Sequence, residues 1–430
     1  MRSHRASLPS TARRRTPLPS PRGNVTVTTS QDQTRQISSA LGQEQEEEFR
    51  NGPVSRGRRV LAAQRHRETG PLGRGGIPAV GCAMTGFGPA VDAVLEACVV
   101  PGFSRIGLAV RSRLLPEFTA GGDRAATGRT IIITGATSGI GYAAAVALAR
   151  RGAAIHFLAR DPGRADRARR GIAAASGSTS ISYGLADLED LDAVRAFARE
   201  FRATHDRLDV LIHNAGVIHP QFRTDRAGTE MTVLGQVVAP FLLTTLLMPA
   251  LLASAPARVI TVSSGGMYTQ RLDLTTLQLP ASRYQGATAY ARAKRAQVVL
   301  SREWARRFAG TGVAFHAMHP GWVDTPGVAA ALPGFRRVTR PILLSPEQGA
   351  DTISWLATAP CDRLGTGRFW HDRRARPEYP LPWTREKDPA AARNLWDHLA
   401  AATTTDSPKP EQAGRDNVAA EHDIPARERR

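Results

Sequence analysis

The sequence predicts an α/β fold, a doubly wound parallel sheet covered by helices on both faces, and three observations carry that prediction. Short β-branched runs alternate with helical stretches through the middle of the chain. A glycine-rich turn, Thr134-Gly135-Ala136-Thr137-Ser138-Gly139-Ile140-Gly141, lies between such a run and an alanine-rich stretch. Downstream, Tyr290-Ala-Arg-Ala-Lys294 sets a phenol and an ammonium four residues apart, which places them on one face of a helix.

Strands are expected at 130–134, 154–158, 180–184, 210–213, 258–263, 313–319 and 367–371, and helices at 142–150, 164–175, 188–204, 228–252, 288–309 and 346–357. Right-handed crossovers between such units wind the sheet on both faces. Ser345-Pro346-Glu347-Gln348 has the residues of a helix start: a cap, a proline in the first turn and a glutamine to close the box. Asp388-Pro389 opens a last helix with Leu395, Trp396 and Leu399 on one face, either over the substrate mouth or as a cap on the domain. The most apolar run, 241–253, is interrupted by Pro249; it is expected to be a buried helix, too short to span a bilayer.

Strand, glycine turn and helix together are the context of a phosphate-binding loop. Gly135 allows the tight turn, Gly139 lets the backbone approach a pyrophosphate, and Gly141 lets helix and strand pack closely. The helix N-terminus then offers free N–H groups and positive dipole to the phosphates. Tyr290 and Lys294 suit proton transfer. A free phenol has a pKa of about 10, and a nearby ammonium is expected to lower it by stabilising the phenolate. Tyr290 then gives a proton to a carbonyl oxygen, or takes one from an alcohol.

Composition bounds the organisation. Residues 1–83 contain Arg13-Arg14-Arg15, Glu46-Glu47-Glu48 and several Pro and Ser, and such a segment buries too little apolar surface to offset its ordering entropy. It is expected to be a disordered arm, as is the tail at 403–430. A helical lead-in is expected at 84–127 and the globular domain at 128–402. Met84 suggests that translation starts there; intact mass of the natively expressed protein tests this. A targeting peptide is the rival reading, disfavoured by the glutamate run and the lack of an apolar signal core. In the lead-in, Val99-Val100-Pro101 and 106–115 pack a helix on the domain or rest it on a membrane surface.

The net charge of +19 invites a nucleic-acid reading. Residues 1–83 hold 14 Arg against 6 acidic residues, which accounts for +8 of it. Lysines number only three, Lys294, Lys387 and Lys409, against 54 arginines, a skew that suits GC-rich coding. No nucleic-acid motif accompanies the charge, so no specific nucleic-acid partner is expected. Cys82, Cys98 and Cys361 are widely spaced and indicate neither a disulfide framework nor a metal site. A reducing cytoplasm is the expected location.

Between about 128 and 375 the chain resembles the short-chain dehydrogenase/reductase family. The resemblance rests on the glycine turn, Asp187-Leu188, Asn214-Ala215-Gly216, Ser263-Ser264, Tyr290 to Lys294, and Pro320-Gly321-Trp322-Val323-Asp324-Thr325, in the family's order. Within it, Ser263 to Tyr268, His319 to Gly327 and Phe369-Trp370-His371-Asp372-Arg373-Arg374 are similar to the dehydrogenase/reductase member-twelve group. The resemblance implies a Rossmann fold, catalysis by Ser264, Tyr290 and Lys294, and a second task for Lys294 on the nicotinamide ribose. It implies adenine contact by Asp187 with Leu188, passage of Asn214-Ala215-Gly216 beside the adenine ribose, and a nicotinamide loop of Pro320, Gly321, Val323 and Thr325. Gln236 stands where the family has an asparagine that fixes a water linking the lysine to solvent, which puts the proton relay in doubt. The family's dimers and tetramers imply a homodimer or homotetramer through the helices at 228–252 and 288–309.

Arg160 ends the second strand where NAD-selective sites carry an acid, and it suits a 2′-phosphate and adenine stacking. NADP(H) is therefore expected over NAD(H), although Asp161 could serve a ribose or neutralise Arg160. The leading expectation is an NADP(H)-dependent oxidoreductase interconverting carbonyl and alcohol on a small, apolar substrate. The alternative is a catalytically weak dinucleotide sensor or scaffold, and a third reading, nucleic-acid binding by the arm, would show strong salt dependence.

Overall fold

The structure, a computed structural model, describes residues 87–119 and 126–404. The expectations for 1–83, for Met84 as a start, for Cys82 and for the chain after 404 lie outside the described residues. The lead-in forms α1 (Phe87–Ala97), a short turn of helix, and α2 (Arg105–Leu114), which Ser104 caps by accepting from Ile106 N.

The domain runs β1 (Thr130–Thr134), α3 (Gly139–Arg150), β2 (Ala154–Ala159), α4 (Pro162–Ser176), β3 (Ile181–Leu185), α5 (Leu191–Thr204) and β4 (Val210–His213). It continues through α6 (Met231–Ala253), β5 (Ala257–Val262), α7 (Gly286–Arg307), β6 (Val313–Met318), α8 (Pro346–Thr358), β7 (Arg368–His371), β8 (Arg374–Arg376) and α9 (Ala391–Thr404). The strand order is β3-β2-β1-β4-β5-β6-β7-β8. All pairs are parallel except β7 with β8. The order reverses beside β1, and doubly wound sheets bind ligands at that point, outside the strand carboxyl ends.

Burial on both faces explains the near-continuous apolar strands. Ile132 faces the layer of α5, α6 and α7, while Ile131 and Ile133 face the layer of α3, α4 and α8. That is the two-residue alternation of a strand. Strand ends differ from the expected ones by one residue at most, and the expected capping box of α8 is present, with Ser345 and Gln348 bonded reciprocally.

Two sequence expectations need correction, and one left open between two places is decided. β8 was not expected: it follows a turn in which Asp372 and Arg373 have φ of 48° and 57°, a left-handed conformation that no glycine signals here. The run at 241–253 is not short, because it belongs to a 23-residue helix, Met231–Ala253, long and apolar enough to cross a membrane. Its most apolar window is 72% buried within the protein, so it is read as a core helix. Finally, α9 caps the domain rather than the substrate mouth. Its Leu395, Trp396 and Leu399 join Phe241 and Trp304 in one core.

In that core, Trp396 lies edge-on to Trp304 at 4.4 Å and to Phe241 at 4.9 Å, with the Arg307 guanidinium 4.3 Å from its ring. Part of the outer face of α7 is therefore covered by the chain's own last helix. Trp396→Ala should cost about 3–5 kcal/mol in urea unfolding, the usual penalty for truncating a buried tryptophan.

Candidate active site

The glycine turn joins β1 to α3 as its residue types require. Gly135 has φ of 72°, and a Cβ there would sit 2.9 Å from Ala215 Cα. Gly139 has φ of 58°, and its Cβ would meet Thr325 Cγ2 at 3.4 Å. Asn214 ties the turn to β4: its amide nitrogen donates to the carbonyl oxygens of Thr134 at 3.0 Å and Gly135 at 3.2 Å. Thr134 Oγ1 accepts from the Asn214 and Ala215 main-chain N–H groups. Gly141 packs where a side chain would collide with the Asn214 amide.

The first turn of α3 is where a pyrophosphate would bind. Ser138 stands at its N-cap without a side-chain capping bond, whereas α4, α5 and α8 are all capped by their own side chains. The orphan N–H groups of α3 are thus left for a ligand. Thr137, Ser138 and Ile140 are half-buried around this opening. The close glycine backbone and the uncapped helix end fit a dinucleotide.

At the end of β2, Arg160 is exposed and its guanidinium stands 3.9 Å from Asp187. Asp161 does not share this space in the way the sequence allowed. Its carboxylate caps α4, accepting from Arg164 N at 2.6 Å. Asp187 also accepts from Glu189 N at 3.0 Å, and Leu188 packs inward against the core.

The loop after β6 closes the other side. Ile140 of the glycine turn packs against Val323, Leu344 and Leu108. Val323 bridges to Leu344, and Thr325 caps the following helical turn by accepting from Val328 N. Gly321 has φ of 78°, and a Cβ on it would lie 2.9 Å from the Phe103 carbonyl oxygen. Trp322 N donates to that same oxygen at 2.7 Å. Pro320 begins this turn after His319, whose Nδ1 accepts from Gly321 N. The lead-in is therefore part of the site's wall, which sequence reasoning missed.

Ser264, Tyr290 and Lys294 come together at the carboxyl end of β5. Ser264 caps a short 3-10 turn by accepting from Gly266 N, and its hydroxyl lies near enough to the Tyr290 phenol to favour the phenolate. Lys294 Nζ lies 5.3 Å from the centre of the Tyr290 ring. Ser263 faces inward, donating to the Lys294 carbonyl at 2.9 Å.

The electrostatics of this pair differ from the sequence expectation. Burial pushes the Tyr290 phenol up to about 12, only partly countered by Ser264. Burial also lowers the Lys294 ammonium to about 7. The lysine is thus not a strong enough field to depress the phenol in the protein alone. Both groups are desolvated, and burial disfavours the charged form of each.

Gln236 sits in a π-helical turn, Leu234–Val238, inside α6. Its side-chain nitrogen donates to the Val217 carbonyl at 2.7 Å, and its Oε1 is buried without a partner. A Cβ on Gly216 would approach both Lys294 Nζ, at 3.2 Å, and this Oε1, at 3.3 Å. His213, on β4 behind the lysine, bonds Thr244 Oγ1 at 2.7 Å, and burial, aided by the Lys294 charge, holds it at about 3.

Known proteins resemble this chain in sequence and fold. A family profile described as short chain dehydrogenase matches residues 129–333. The chain is 40% identical over 259 residues to dehydrogenase/reductase SDR family member 12 of Bos taurus, covering 60% of this chain and 80% of that protein. It is 36% identical over 288 residues to retinol dehydrogenase 14 of Mus musculus, covering 63% of this chain and 84% of that protein. The crystal structure of an uncharacterized protein from Mycobacterium Paratuberculosis matches with a TM-score of 0.52 at 28% identity, covering 66% of this chain and 96% of that one. With a glycine turn at the switch point, a phenol, ammonium and hydroxyl at the end of β5 and these relatives, the chain belongs to the short-chain dehydrogenase/reductase family and is an NAD(P)-dependent oxidoreductase of CH–OH or carbonyl groups.

Proposed function

We propose that this enzyme uses NADP(H) to interconvert a small apolar carbonyl compound and its alcohol, with Tyr290 as the acid/base. The observation that carries the reading is the position of the Lys294 ammonium 5.3 Å from the centre of the Tyr290 ring, with Ser264 at the carboxyl end of β5 beside them. In reduction, a nicotinamide coenzyme, when bound, would supply a hydride for the carbonyl carbon. Tyr290 gives its proton to the oxygen, and the Ser264 hydroxyl hydrogen-bonds that oxygen as charge grows on it. A phenol held near 12 is protonated at neutral pH, which suits the acid role in the reductive direction. Lys294 would hold the nicotinamide ribose and stabilise the phenolate.

Arg160 supports NADP(H). It is exposed at the end of β2, and the nearest following acid, Asp161, turns one carboxylate oxygen to cap α4. Arg160→Ala should raise the KM for NADPH by about 10- to 100-fold, the factor given by a charged hydrogen bond of about 1.5–3 kcal/mol. The KM for NADH should stay in place; steady-state kinetics with both coenzymes checks this.

An apolar substrate is supported by the exposed Val217 beside Gln236 and by Trp322 packed edge-on to Phe335 at 5.2 Å. The relative named as a retinol dehydrogenase is named for an apolar alcohol. A cytoplasmic location belongs to the same proposal, on the wide spacing of Cys82, Cys98 and Cys361 in the sequence. The test follows NADPH absorbance against aldehydes, ketones and quinones, beside Tyr290→Phe. Tight NADPH binding with no turnover on any compound favours the dinucleotide sensor instead, a reading that Gln236 in place of asparagine keeps in view.

A further inference from the structure

Lys294 is 1% exposed, and among the described residues its ammonium has only neutral oxygen partners. It donates to the Val262 carbonyl at 3.0 Å and to Gln297 Oε1 at 3.1 Å. Gln297 is itself 4% exposed, and its Nε2 donates to the Gln236 main-chain oxygen at 2.5 Å. That oxygen belongs to the π-helical turn, which widens α6 where the glutamine enters. The Gln236 side chain points elsewhere, to Val217. A carboxamide therefore fills the space between the lysine and the helix backbone, where the family resemblance led us to expect a water.

The fit is directional. The amide oxygen faces the cation and the amide nitrogen faces a carbonyl, and the reverse orientation would set donor against donor. An ammonium this deeply buried is costly unless its donors are met, and Gln297 meets one without adding a charge. The other groups around the lysine are Tyr290 on its own helix, His213 on β4, Ser263 at the end of β5 and Gln236 on α6. His213 is neutral at physiological pH, so it sets no second cation against the lysine, and none of these groups is an anion that would compete with the glutamine.

We propose that Gln297 is a positioning residue of the Tyr290–Lys294 pair, holding the ammonium beneath the phenol and setting its affinity for a proton through the amide oxygen. The proposal rests on the acid/base reading above for its catalytic meaning, but its test does not need turnover. Because the chain has three lysines, labelling lysine with ¹³C and ¹⁵N gives few enough signals to follow Lys294 through a pH titration. Lys294→Met identifies the resonance by its disappearance.

The apoprotein, full length, is titrated as wild type, Gln297→Leu and Gln297→Glu. Loss of the acceptor in Gln297→Leu should lower the Lys294 midpoint, and the carboxylate in Gln297→Glu should raise it, each by about one pH unit or more. A merely structural glutamine would change thermal stability and leave the midpoint in place. An unmoved midpoint in either folded variant overturns the proposal. Gln297→Glu is isosteric and keeps the test decisive should the leucine variant fail to fold. Lack of turnover on every carbonyl compound, with the midpoints moving as stated, removes the acid/base reading and leaves the hold of Gln297 on Lys294 standing.

Discussion

Tyr290→Phe should lower kcat/KM for carbonyl reduction by about 10²–10⁴-fold, the range for removing a positioned general acid, with NADPH affinity retained. Phenylalanine keeps the ring that packs over Lys294 and removes only the oxygen that meets Ser264. The glycine turn, the open end of α3 and Arg160 are formed by other residues and stay intact, so fluorescence titration with NADPH should give the wild-type curve. A drop in binding together with rate would mean that the phenol anchors the coenzyme more than it moves a proton. Equal rates for both proteins would remove Tyr290 from the chemistry. The pH behaviour adds a second readout. With the phenol held near 12 and the ammonium near 7 by burial, a change in rate near neutral pH belongs to Lys294 and should persist, at reduced amplitude, in Tyr290→Phe.

What could be read ahead of the structure was chemistry confined to a few neighbouring residues. Gly135, Gly139 and Gly141 declared a turn because only glycine tolerates those dihedrals and approaches. Tyr290 and Lys294 declared a shared face because a helix brings residues four apart together. Short strands such as Thr130–Thr134 announced themselves by β-branching. The electrostatics of the pair were misjudged for a reason the sequence does not carry. Charge–charge attraction follows from spacing, whereas desolvation follows from everything packed around the pair, and here desolvation wins. Gln297 was passed over because a glutamine three residues beyond a lysine reads as an ordinary polar helix position. Only the π turn of α6 gives its amide a carbonyl to meet. β8 was missed because Asp372 and Arg373 adopt left-handed backbone without glycine, under the hold of a residue 261 positions earlier.

That earlier residue, Arg111, should be the most costly single loss in the lead-in. Its side chain is 0% exposed and donates to Asp92 at 2.7 Å, Asp372 at 2.7 Å, Glu96 at 3.2 Å and the Gly102 carbonyl at 2.6 Å. Arg376 of β8 braces Asp92 from the other side with two bonds of 2.8 Å. Arg111→Met fills much of the volume but leaves three carboxylates short of a partner, and breaking such a buried network costs about 3–5 kcal/mol. Urea unfolding should show it. Burial alone would raise Asp92, but Arg376 and then Arg111 hold it below the usual carboxylate range, and Glu96 is likewise lowered against burial by His371 and Arg376. Carboxyls with depressed folded values stabilise the fold above their unfolded pKa of about 4, and that contribution fades as pH falls through the folded values. The wild type should therefore lose its lead-in packing in acid, and Arg111→Met should lose part of that pH dependence. The effect should reach the coenzyme, because Phe103 follows Gly102 directly and its carbonyl supports Trp322 in the loop at 320–325. A higher KM for NADPH in Arg111→Met at neutral pH, with Tyr290 untouched, is the expected signature of a lead-in that props the nicotinamide loop from outside the sheet.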